Sequence, residues 1–169
     1  LNTIFIVLGT ITQIAVAILL NEIRSKWFKK VTQSIIFLPY FMSWVVVGVI
    51  ALGFFDSQTG MANSVLQSVG AQPISWYTTA EVWRPLLAVF YVWKWAGYGA
   101  VIYLAVITGI DEQYYEAAVI DGAGKWQQVW YITMPCLLPT VIILMLLAIG
   151  RIFYGDFGMI YGLVGDNGM

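Results

Sequence analysis

Histidine is absent from these 169 residues, cysteine occurs once, and charged side chains make up only 10% of the chain. Without histidine there is no imidazole proton relay and no zinc site built on one. The lone Cys136 excludes an internal disulfide and leaves the redox compartment open. The shortage of charge is the most restrictive absence. A soluble domain carries about 25% charged residues, and eight basic plus nine acidic side chains are too few to cover a core of this size. The net charge of −1 suggests neither nucleic acid nor an acidic substrate as partner. Short alternating segments of the kind that build a membrane barrel are missing. So is a glycine-rich phosphate loop ending in Lys-Ser/Thr, so the chain is expected to bind no nucleotide, to need no cofactor and to catalyse no reaction itself.

What is present is apolar length. The chain is 60% hydrophobic with a mean hydropathy of +0.81, and four segments approach the roughly 20 residues needed to cross a bilayer as helix. They run from about Asn2 to Leu20, Ser34 to Phe55, Leu86 to Ile107 and Pro135 to Phe153. Every backbone polar group in lipid needs an internal partner, so helices are expected throughout. The fold class is therefore all-α: a polytopic transmembrane helix bundle of one domain. The first residue already lies in an apolar run and no small-residue cleavage site follows, so the expectation is a fragment truncated at both ends.

The connection Arg24-Ser25-Lys26-Trp27-Phe28-Lys29-Lys30 holds half of the basic residues, which places it on the cytoplasmic side. Two further crossings put residues 109–134 on that side too, and residues 56–85 outside. In the outer connection Met61, Val65, Leu66 and Val69 recur at helical spacing with Gly70 closing the run, which predicts a short amphipathic helix on the outer membrane surface. Trp76, Tyr77 and Trp83 are interface anchors.

In residues 109–134 Asp111 is placed to cap a helix over about Glu112 to Ile120, and a second short helix is expected over about Lys125 to Ile132. Pro135 then opens the fourth span, where its missing N–H costs nothing. Ala117 and Ala118 remove bulk, so a partner could approach closely, and Glu116 and Asp121 offer carboxylates to a cation on a soluble subunit. Inside the spans, Lys94 is either a snorkelling lysine beside Trp93 and Trp95, or a residue near the pathway or on a carbonyl at a helix break. Pro39 should break the second span and leave Tyr40, Ser43 and Trp44 on a polar, aromatic surface. Tyr98 joins these as a candidate pathway residue. Gly97 and Gly99 suit close helix packing, and Tyr154, Asp156 and the following glycines read as an outer loop.

Glu116-Ala117-Ala118, Gly122, Ile132 and Pro135 stand at the spacing E-A-A, three residues, G, nine residues, I-x-L-P, with Met134 in place of leucine. This resembles the EAA loop of ATP-binding-cassette importer permeases. Asn2-Thr3, Leu19-Leu20-Asn21-Glu22, Leu38 to Trp44, Trp93-Lys94 and Asp156-Phe157-Gly158 are similar to the branch that handles oligosaccharides and polysaccharides, although Asp111 stands where that branch more often has proline. The resemblance implies a type I permease subunit in a bacterial or archaeal inner membrane. It implies that ATP is bound by separate ATPase subunits touching Tyr115, Glu116, Ala117, Ala118, Ile120, Asp121, Gly122 and Ala123. A second permease subunit, an extracytoplasmic solute-binding protein, membrane lipid and a sugar would be the other partners. Six spans are usual there, so this chain would hold the second to the fifth. A permease for amino acids, peptides or ions shares the loop. An ion-coupled carrier would want carboxylates inside the spans, and a membrane enzyme would want converging catalytic groups; the sequence supplies neither.

Overall fold

The computed structural model describes residues 1–150 and 156–165. Among the described residues there is no strand. The helices are α1 (Asn2–Glu22), α2 (Lys26–Phe37), α3 (Trp44–Phe55), α4 (Met61–Ser68), α5 (Ala80–Thr108), α6 (Glu112–Ile120), α7 (Lys125–Gln128), α8 (Met134–Ile149) and α9 (Phe157–Val164). Short 3-10 turns occupy Leu38–Phe41 and Trp76–Thr78, and a π turn spans Val129–Thr133. Asn2–Glu22, Glu81–Thr108 and Lys125–Ile149 are long and apolar enough to cross a membrane.

The chain divides into two compact units. One comprises 2–40 and 92–153, the other Leu1, 41–91 and 154–169. In the first, α1, the second half of α5 and α8 bury Ala17, Leu20, Ala100, Tyr103, Leu104, Ile107 and Leu137 against one another. Small residues set the spacing. A Cβ on Gly97 would overlap the backbone at Ile36, and one on Gly99 would overlap the Gln13 side chain. Both glycines thus serve close packing. In the second unit Val47 and Ala51 of α3, Trp83 and Leu87 of α5, and Met159 and Leu163 of α9 are buried.

The break expected at Pro39 is present, and two later segments differ from the sequence expectation. The stretch from 34 to 55 is interrupted: α2 ends at Phe37, the 3-10 turn carries Pro39, and α3 starts afresh at Trp44 with Ser43 as its N-cap, accepting from the Val46 amide at 3.3 Å. Proline at 39 donates no backbone bond, so the ladder stops there. Residues 125–149 are one helical path in place of a short helix and a separate span beginning at Pro135. A π turn precedes that proline, and the Met134 amide reaches back to the Val129 carbonyl. Residues 157–164 are helix α9, not loop, because Asp156 caps them, accepting from the Met159 amide at 3.0 Å. Tyr154 and the expected end of the last span, Phe153, lie outside the described residues.

The connection 56–79 is held by two side chains. Asn63, 2% exposed, fills its whole bonding capacity. Its Nδ2 donates to the carbonyls of Ser57 (3.1 Å) and Ile74 (2.9 Å), and its Oδ1 accepts from the Ile74 amide (3.0 Å) and Trp76 Nε1 (2.9 Å). Asp56 Oδ1 accepts from the Thr59 amide (2.7 Å), the Thr59 hydroxyl (2.8 Å) and the Gln58 amide (3.0 Å). These bonds, the Thr59 amide first, hold its carboxyl below the ordinary range. The expected short helix is α4, and Gly70 takes up a left-handed φ of 78° just beyond its end.

Candidate functional site

Two groups of sequence-selected residues are assembled within the first unit. The first is α6 and its attachments. Asp111 caps the helix, its Oδ1 accepting from the Gln113 amide at 3.0 Å. The other end closes in a Schellman motif: the Ala123 amide bonds the Ala118 carbonyl at 2.8 Å and the Gly122 amide bonds Val119 at 3.0 Å. Gly122 sits at φ 79°, where a side chain would strain the backbone, so glycine is required for the turn that ends the helix. With both ends capped, nine residues hold a helical shape that they would not keep alone.

The helix turns Glu116, Ala117, Val119 and Ile120 outward; Ile120 is 86% exposed. Tyr115, expected to face a partner, directs its hydroxyl inward to Thr133 Oγ1 at 2.9 Å, and Thr133 is buried on the π turn at the head of α8. Gln128 Nε2 donates to the Ala123 carbonyl at 3.1 Å, and Lys125 Nζ pairs with Glu22 Oε2, at the end of α1, at 3.3 Å. The ion pair is exposed and contributes little by itself. The Tyr115–Thr133 bond ties α6 to the long helix that follows. A double-mutant cycle of Tyr115→Phe and Thr133→Val, read by thermal unfolding of the full-length protein, is expected to give a coupling of about 1 kcal/mol. Additive losses would remove the tie.

The second group surrounds the break after α2. Lys94, near the middle of α5, is 6% exposed and donates to the carbonyls of Pro39 and Tyr40, each at 3.2 Å. Both carbonyls lie in the turn Leu38–Phe41 that separates α2 from α3. Of the two sequence readings, snorkelling or capture by a helix break, the geometry fits the second. The Tyr40 ring stacks on Tyr98 at 4.7 Å with 14° between planes, and its edge meets Trp95 at 5.5 Å. Gln13 of α1 donates to the Trp95 carbonyl at 3.3 Å. This glutamine was missed by sequence reasoning; an amide side chain at mid-helix in the first span was the available signal.

Ser43 and Trp44 belong to the other unit. Ser43 is occupied as the α3 cap, and Trp44 Nε1 donates to Asp156 Oδ2 at 3.0 Å. Tyr40, Lys94 and Tyr98 therefore share one cluster, while Ser43 caps α3 and Trp44 is bonded to Asp156. Among the described residues no group of three or more Cys, Asp or Glu side chains could hold a metal ion.

Residues 13–169 match the family described as binding-protein-dependent transport system inner membrane component. Protein LplB of Bacillus subtilis (strain 168) is 37% identical over 145 residues, 86% of this chain and 46% of that protein. The polygalacturonan/rhamnogalacturonan transport system permease protein YteP of the same organism is 38% identical over 151 residues, 89% of this chain and 47% of its own. The chain thus spans about half the length of these curated relatives. A chain in the crystal structure of a bacterial alginate ABC transporter, in complex with an alginate pentasaccharide-bound periplasmic protein, superposes with a TM-score of 0.92 at 33% identity, over 99% of this chain and 58% of that one.

Proposed function

The chain belongs to the family of binding-protein-dependent transport system inner membrane components, and from that premise we propose that it is the translocating part of an ATP-driven importer for oligosaccharides or polysaccharides. The observation that carries the coupling half of this reading is α6: a short helix capped at both ends, with Glu116, Ala117, Val119 and Ile120 on its outward face, and bonded through Tyr115 to the head of a membrane-spanning helix. Such a rod suits a groove in a soluble ATPase. Force applied to it passes directly into α8 because no loose loop intervenes. ATP-driven closure of an ATPase pair would move α6, and the packed helices behind it would change which side of the membrane the pathway faces.

The substrate half rests on the Tyr40–Tyr98 stack beside Lys94. Aromatic faces pack on the apolar faces of sugar rings while nearby polar groups bond hydroxyls. A carbohydrate is also the cargo named for the polygalacturonan/rhamnogalacturonan permease and for the alginate transporter. A solute-binding protein would deliver the sugar on the side of residues 56–79, a second permease would complete the pathway, and basic residues 24–30 would face the cytoplasm.

Glu116→Arg in the full-length permease tests the coupling. Truncating one member of a buried, hydrogen-bonded charge pair costs about 2–5 kcal/mol, so the reversed charge is expected to abolish co-purification of the ATPase subunit and ATP hydrolysis stimulated by loaded binding protein. Undiminished co-purification and hydrolysis at equal membrane levels would remove α6 as the docking element. An ion-coupled carrier would show uptake with no ATPase subunit bound at all.

A further inference from the structure

We propose that the first turns of α2 form a binding site for the headgroup of an anionic phospholipid in the cytoplasmic leaflet. The inference rests on the membrane orientation given above. Between Glu22 and Asp56 the sequence has no acidic residue, yet Arg24, Lys26, Lys29 and Lys30 fall within seven positions. The other connection assigned to the same side has the opposite character, with Asp111, Glu112, Glu116 and Asp121 against Lys125 alone. Among the described residues no carboxylate pairs with the cations at 24–30, and the nearest one, Glu22, is engaged by Lys125.

The arrangement of α2 identifies the occupant. Its exposed arc carries Lys26, Trp27 and Lys30 in the first turns, then Ile35 and Leu38 further along. Trp27 is 74% exposed, Ile35 64% and Leu38 62%, a poor arrangement in water for side chains of this size. From Lys26 to Leu38 the helix rises about 18 Å. Over about the first 6 Å of that distance the exposed surface carries both lysines with the Trp27 ring between them, and at Ile35 and Leu38 it is aliphatic. A phospholipid presents the complementary order: an anionic headgroup and ester region, then acyl chain. Lys26 and Lys30 lie one turn apart on the helix and can hold one phosphate between them, with Trp27 beside them in the interfacial layer, where indoles collect. An acidic protein surface would match the lysines and leave Ile35 and Leu38 uncovered.

The full-length permease, assembled with its ATPase subunits, is placed in nanodiscs containing brominated phosphatidylglycerol or, at equal bromine content, brominated phosphatidylcholine. The Trp27 emission is taken as the difference between the wild type and Trp27→Phe. Quenching by phosphatidylglycerol is expected to exceed that by phosphatidylcholine, with an enrichment of about fivefold for each lysine engaged. Lys26→Gln with Lys30→Gln is expected to abolish the preference, while the Lys→Arg pair keeps it. Equal quenching by both lipids, or a preference unchanged by the glutamine pair, overturns the proposal. So does a Trp27 that neither lipid quenches and whose emission shifts when the ATPase is added, since a protein then covers the face. ATP hydrolysis by the same nanodiscs tests the permease reading separately. Hydrolysis stimulated by loaded binding protein with no lipid preference sinks the lipid site alone, and lipid preference without such hydrolysis supports the site while sinking the transporter.

Discussion

Lys94→Leu should lower sugar uptake by the full transporter at least about tenfold while leaving the protein in the membrane. Two carbonyls at the end of a broken helix, those of Pro39 and Tyr40, both accept from this one amine. Leaving a buried acceptor unsatisfied costs about 1–3 kcal/mol, and more where the lost donor was charged. Two such losses exceed the 1.4 kcal/mol that corresponds to a factor of ten. Water does not reach the site to compensate, since Lys94 is 6% exposed in the isolated chain. The turn at 38–41 is therefore expected to move, taking with it the Tyr40 ring stacked on Tyr98. Lys94→Arg, which keeps donors in place, should retain part of the activity. The measurement is uptake of labelled oligosaccharide at matched membrane abundance. Normal uptake by Lys94→Leu would show that the turn holds its shape without the lysine and that the cluster lies off the pathway.

Gly48→Ala is expected to destabilise the protein, against the usual sign for glycine in a helix. Replacing glycine by alanine at a free helical position gains about 1 kcal/mol. Gly53, on the same helix, has open space beside it, and Gly53→Ala should show that gain or remain neutral. At Gly48 the added methyl would fall on the backbone carbonyl of Gly162 in α9. In return, a Cβ on Gly162 would lie 2.8 Å from the Trp44 carbonyl oxygen. Neither obstacle is a flexible side-chain end, so the helices must separate. Overpacking of this kind costs about 1–3 kcal/mol, and it also stretches the Trp44–Asp156 bond that closes the same contact at 3.0 Å. The net result should be a lower unfolding temperature and reduced membrane accumulation of the full-length protein, more severe for Gly48→Leu. A stability equal to that of Gly53→Ala would mean that α3 and α9 do not meet at these glycines.

The two cases divide what could be read from the chain from what could not. Helix α6 was legible because its determinants are local: an aspartate cap, small residues within one turn, and a glycine four residues after the last alanine. Helix α6 runs from Glu112 to Ile120 as the caps predict. What the sequence did not show was that Tyr115 turns inward, because its partner Thr133 is 18 residues away and is placed by a π turn that leaves no compositional trace. Asn63 went unnoticed for a similar reason. Its bonding to residues 57, 74 and 76 depends on a connection folding back over it. Asp156 was read as loop because glycine-rich residues follow it. Those glycines are instead the price of close contact with α3 inside a helix.

By itself the sequence determined that this protein is helical and membrane-embedded and that one connection carries a short helix capped at both ends. Hydrophobic length, charge scarcity and capping residues act over a few turns of chain and need no fold to express them. Only the tertiary structure decided that Lys94 closes the break at Pro39, 55 residues away, that Gly48 and Gly162 let two backbones touch, and that Trp44 reaches Asp156 across 112 residues. These contacts join groups whose separation along the chain carries no periodicity. Their formation depends on helix packing set by many side chains together.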